Sequence, residues 1–135
     1  MGHEENARTV ERFRQTFKSG DLAGLNAMFN EQLHEDAVQE WPQSGERIRG
    51  KKNIMAINEN YPGLPSSVER RVLGSGDLWT YELTLNYGGK TVHGCTILEF
   101  KDGKIIKLTD YFADPFEAPE WRAKYVEKME PVSVG

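Results

Sequence analysis

Ala7, Val10, Phe13 and Phe17 recur every three or four residues with charged residues between them, the pattern of one apolar stripe along a helix. The spacing predicts a helix over 4–18, stopped at Gly20. Asp21 is placed to cap a second, shorter helix carrying Leu22, Leu25, Met28 and Phe29. A short strand over 37–41 is stopped by Pro42, Ser44-Gly45 makes a turn, and 46–49 returns. After Gly50 a third helix, over 51–61, sets Ile54, Ile57 and Tyr61 on one side and ends at Pro62-Gly63. From Ser67 onward the period shortens to two, and four strands follow over 68–73, 78–87, 91–100 and 104–112. Helices first and strands after predict an α+β architecture, a curved antiparallel sheet with helices on one side. The charged segment 118–130, with Trp121 and Tyr125, predicts a short helix packing back on the body.

The last strand raises a chemical question. Its alternation puts Ile106, Leu108, Asp110 and Phe112 on one face, so a carboxylate sits on the most apolar side. A buried carboxylate without a partner is expensive. Asp110 is therefore paired, or it lines a cavity and its pKa is raised by apolar neighbours. A turn at Lys101-Asp102 with Gly103 as a bulge residue places Ile106 opposite Leu98, Leu108 opposite Thr96 and Asp110 opposite Gly94. That register gathers the apolar residues on one face and leaves open space before Asp110. The preceding strand is ambiguous. Trp79, Tyr81, Leu83 and Leu85 alternate with Thr80, Glu82, Thr84 and Asn86, and the turn at Gly88-Gly89 admits both parities. A two-residue loop pairs Glu82 with Cys95, on the outside; a bulged loop pairs it with Gly94, beside Asp110.

Composition narrows the setting. A chain of 135 residues suits one domain over 1–135 and buries a core without disulfides. Cys95 is the single cysteine, which excludes an internal disulfide and a cysteine-based zinc site. Three scattered histidines do not suggest a metal centre. The net charge of −4 with mixed signs argues against nucleic acid as a partner. The polar start, MGHEENARTVERF, carries no apolar signal core, so a cytoplasmic protein without membrane partners is expected.

Two N-terminal helices, a strand running into EWPQSGERIRG, a third helix, a run of strands and the ending DGKIIKLTDYFADP resemble the nuclear transport factor 2-like superfamily, and within it the SnoaL-like polyketide cyclase group. The ending is also similar to that of limonene epoxide hydrolase. The resemblance implies a cone-shaped, cystatin-like roll with an apolar pocket between the concave sheet and three helices. It implies no cofactor. Asp110 falls at the family's acid/base aspartate. Glu82 falls at a second pocket carboxylate of the epoxide hydrolase, and Glu40 at its water-holding amide. The arginine expected two residues before Glu82 is Thr80, so that enzyme's triad is incomplete.

These readings set the functional expectation. Asp110, Glu82 and Glu40 are candidate catalytic carboxylates, with Trp41, Tyr61, Leu98, Leu108, Phe112 and Phe17 as candidate substrate-binding residues. The expected function is a cofactor-free isomerase, cyclase, dehydratase or hydrolase acting on a small apolar or cyclic molecule. The alternatives are a non-catalytic ligand binder and a dimeric scaffold. If Glu82 faces the pocket, Trp79, Tyr81, Leu83 and Leu85 face outward, and an apolar patch of that size implies a homodimer through the outer sheet face.

Overall fold

A computed structural model describes residues 3–134. Helix α1 (His3–Ser19) is followed by α2 (Leu22–Gln32), β1 (Leu33–Trp41), β2 (Glu46–Arg49), α3 (Lys51–Glu59), β3 (Ser66–Ser75), β4 (Leu78–Tyr87), β5 (Lys90–Lys101) and β6 (Lys104–Ala113). The side chain of Asp21 caps α2 by accepting from the Gly24 amide at 2.8 Å. The six strands form one sheet in the order β2-β1-β6-β5-β4-β3. Short turns make β3 to β6 an antiparallel meander, but β1 lies parallel to β6. The sheet is therefore mixed and not wholly antiparallel. The reason is connectivity: α3 and four strands separate β1 from β6 in sequence, so no hairpin forces their directions to oppose.

One face of the sheet is packed by the helices. Trp79, Tyr81, Leu83 and Leu85 of β4, Leu98 and Phe100 of β5 and Leu108 of β6 join Val10 and Phe13 of α1, Leu25, Met28 and Phe29 of α2 and Ile54 of α3 in one core. Phe13 meets the Tyr81 ring edge-on, with centroids 5.7 Å apart. Each such side chain stabilises the fold by about 1.5–3 kcal/mol when taken from water.

This arrangement overturns the outward placement of Trp79, Tyr81, Leu83 and Leu85. All four are buried under the helices, so the apolar outer patch that motivated a homodimer is not formed by them. The turn decides the parity. Tyr87 pairs with Lys90 across a two-residue Gly88-Gly89 loop, both glycines at positive φ (61° and 96°), and Glu82 consequently pairs with Cys95.

The β5–β6 hairpin also differs from expectation. Its loop is the two-residue Asp102-Gly103, with φ of 52° and 77°. A bulge follows at once: Phe100 pairs with Ile105 and Glu99 with Lys107, leaving Ile106 as the extra residue. The bulge restores the parity that gathers Leu98, Leu108, Asp110 and Phe112 on one face, but shifts their partners. Asp110 stands opposite Thr96, and Gly94 opposite Phe112. The space above Gly94 is not open, since a Cβ there would meet the Leu83 and Leu85 side chains at 3.2 and 3.3 Å.

The expected C-terminal helix is reduced to one 3-10 segment, Glu120–Tyr125, that buries no residue; Trp121 is 75% exposed. Among the described residues no helix is long and apolar enough to cross a membrane.

Candidate functional site

Between the sheet's inner face and the helices lies a cavity of about 140 Å³. Its wall is mostly apolar, with Phe13 and Phe17 from α1, Leu25 and Phe29 from α2, and Leu83, Leu85 and Leu108 from the sheet. Of the expected binding residues, Phe17, Trp41, Tyr61, Leu108 and Phe112 line it. Leu98 does not; it is fully buried in the packed core.

Asp110 is the carboxylate of this cavity and is 6% exposed. Three neutral groups hold it. Thr96 Oγ1 donates to Oδ1 at 2.6 Å, while Gln39 Nε2 and Trp41 Nε1 donate to Oδ2 at 2.6 and 2.9 Å. Burial pushes the carboxyl above its ordinary value of 3.8, and the bonds from Thr96, Gln39 and Trp41 act against that rise. A cleft lined by Trp41, Gln43, Ser44 and Phe112 also reaches Asp110, so the carboxylate stands in a wall between the cavity and the surface. Gln43 fixes that wall: its side-chain amide donates to the Phe112 carbonyl and accepts from the Phe112 amide.

The other two candidate carboxylates lie elsewhere. Glu82 is on the outer face, ion-paired with Arg70 at 3.2 Å and with Arg71. Glu40 pairs with Arg47 at 2.7 Å and Lys107 at 3.1 Å, and the hydrogen bond from Arg47 above all holds its carboxyl below the usual range. Both placements follow from strand alternation. Trp41 lines the cavity, so its neighbour Glu40 points away and Gln39 points in; Tyr81 lines it, so Glu82 points away. The side-chain amide that β1 brings to this pocket is thus Gln39, one residue before the expected position.

Gln39 and Thr96 were legible only through that alternation, once Trp41 and Asp110 were placed inside. Three further polar residues line the cavity without having been expected there: Tyr81, Tyr87 and Asn58. The Tyr61 hydroxyl donates to that of Tyr87 at 3.4 Å, and burial pushes the Tyr87 phenol well above its ordinary value, with the Tyr61 bond adding to the rise. Among the described residues no three His, Cys, Asp or Glu side chains gather as metal ligands would.

Chemically, the site offers one carboxylate, made more basic by burial, positioned by neutral donors and facing apolar space. Such a group can accept a proton from a bound molecule and return it. The cavity has no second carboxylate among its described lining residues, so paired-carboxylate chemistry lacks a partner there.

Solved structures share this arrangement of chain. A nuclear transport factor 2-like protein of unknown function from Burkholderia xenovorans LB400 is 35% identical, with 94% of this chain and 97% of that chain covered and a TM-score of 0.80. A candidate ketosteroid isomerase from Kribbella flavida is 26% identical over 98% of this chain and 94% of its own, with a TM-score of 0.79. An epoxide hydrolase of the limonene type from M. tuberculosis is 27% identical over 82% of this chain and 84% of its own, with a TM-score of 0.60. No protein of curated function matches the chain. The profile of the SnoaL-like domain matches residues 10–108, from the first core residue of α1 to the pocket residue Leu108. With most of its length under that profile and the fold shared, the chain belongs to the SnoaL-like family.

Proposed function

We propose that the protein is a cofactor-free enzyme in which Asp110 moves a proton within a small apolar or cyclic substrate. The supporting observation is the placement of Asp110: a single carboxylate, almost wholly buried, in an apolar cavity and held by three neutral donors. A cation in place of those donors would stabilise the carboxylate strongly and weaken it as a base. Neutral donors orient it while burial keeps it basic. Asp110 takes a proton from a C–H or O–H of the substrate and delivers it to another atom of the same molecule. The proton is conserved, and no oxidant or reductant is required. One carboxylate suits this return of a single proton in an isomerisation or ring closure. Hydrolysis of the epoxide type needs further groups, and the outward Glu82 and Glu40 do not supply them.

Proton abstraction can be read without the natural substrate. Small cyclic ketones incubated with the protein in D2O should incorporate deuterium beside the carbonyl, followed by NMR. Asp110→Asn should lower that rate by roughly 10²–10⁴-fold while the protein stays folded. Bound ketone that exchanges no faster than in buffer would instead identify a non-catalytic binder.

A further inference from the structure

Two polar groups of the cavity wall have no hydrogen-bond partner among the described residues: the Tyr81 hydroxyl and Asn58 Nδ2, both buried. Tyr81 is 0% exposed, and both residues line the cavity that Asp110 lines. Tyr81 belongs to the same row of the sheet as Asp110, since Tyr81 pairs with Thr96 and Thr96 with Asp110. Two strand spacings place their backbones roughly 10 Å apart. The wall therefore carries two unpaired donors, Tyr81 and Asn58, besides the Asp110 carboxylate, and is otherwise mostly apolar. Buried hydroxyls and amides are nearly always satisfied, because leaving one unpaired costs stability.

We propose that the ligand is a single-ring, oxygen-bearing molecule whose carbonyl or hydroxyl oxygen is held by Tyr81 and Asn58 while its reacting C–H or O–H meets Asp110. The Asp110 contact rests on the catalytic reading above; the Tyr81–Asn58 contact does not. Size supports the class. A cavity of about 150 Å³ takes up benzene, and this one measures about 140 Å³. One ring with a small substituent fills this volume, and a fused four-ring skeleton exceeds it. Burial pushes the Tyr81 phenol up to about 12, so it stays a neutral O–H donor through the physiological range. Asn58 Nδ2 is a second donor, and two donors suit a carbonyl.

The test compares cyclohexanone with methylcyclohexane, similar in size but only one bearing oxygen, by calorimetry and thermal shift. Wild-type protein should bind the ketone about tenfold more tightly. Tyr81→Phe should erase that preference, leave methylcyclohexane binding intact and leave Tm equal or higher, because an unpaired buried hydroxyl is removed. Asn58→Leu should narrow the preference. In Asp110→Asn the ketone preference should persist, and a wild-type protein that shows the preference but exchanges the bound ketone no faster than buffer would overturn the catalytic reading alone. The ligand assignment is overturned if Tyr81→Phe keeps the preference or lowers Tm as loss of a structural hydroxyl would. Binding of neither probe, or tight binding of a steroid ketone, overturns it as well.

Discussion

Asp110 is held by hydrogen bonds and not by a countercharge, and this decides how it should respond to substitution. Gln39 and Trp41 both donate to Oδ2, and each bond lowers the carboxyl's pKa against the rise caused by burial. Gln39→Leu keeps the side chain's bulk and removes one donor, so the pKa of Asp110 should rise further. A base works only when deprotonated. The acid limb of the pH–rate profile should therefore move to higher pH in Gln39→Leu, with activity recovered above it. A limb that stays in place, or moves to lower pH, would show that Asp110 is not the titrating base. The position of Asp110 on an apolar face was legible from LTDYF alone. Of its donors only Trp41 was expected in the pocket; Gln39 and Thr96 are unremarkable in sequence and become partners only when three strands align.

At the scale of elements, hairpin turns controlled what could be read. The bounds of β4 follow directly from its alternation, but which face turns inward depends on one residue of loop length at Gly88-Gly89. The resemblance places Glu82 in the pocket, whereas the aromatic stripe goes to the core, where Phe13 and Phe17 of α1 require a partner. The Ile106 bulge was invisible because Ile105 and Ile106 are equally apolar, so either could face inward. Glu40 and Trp41 could not both line the cavity on one regular strand, and that conflict was available from the sequence. Parity makes a clean prediction. Glu82→Gln and Glu40→Gln should each leave the pH–rate profile unchanged, since both carboxylates are on the outer face with basic partners. A loss of activity beyond about tenfold in either, at unchanged Tm, would return that residue to the mechanism.

For the whole molecule, the carboxylates divide by the sign of their effect on stability. Glu69 joins β3 to α1 by a two-pronged pair with Arg14, at 2.6 and 2.9 Å, and the Arg14 hydrogen bond holds its carboxyl below the ordinary 4.5. A depressed folded pKa means stability that is present above 4.5 and lost as pH falls through the folded value. Glu69→Gln should thus cost about 1 kcal/mol near neutrality, or roughly 3–5 °C in Tm, and the deficit should shrink toward pH 3. Asp110 acts in the opposite sense. Its folded pKa lies above 3.8, so the native state binds the proton more tightly and stability falls as pH rises from 3.8 through the folded value. Asp110→Asn removes this cost. The new amide can still accept from Gln39 and Trp41 through its oxygen and donate to Thr96 through its nitrogen. Thermal unfolding from pH 3 to 8 should give two difference curves that start together in acid and separate with rising pH, Asp110→Asn above the wild type and Glu69→Gln below it. An Asp110→Asn curve lying below the wild type near pH 7 would mean that the charged carboxylate stabilises the fold, and the raised pKa on which its role as a base depends would be wrong.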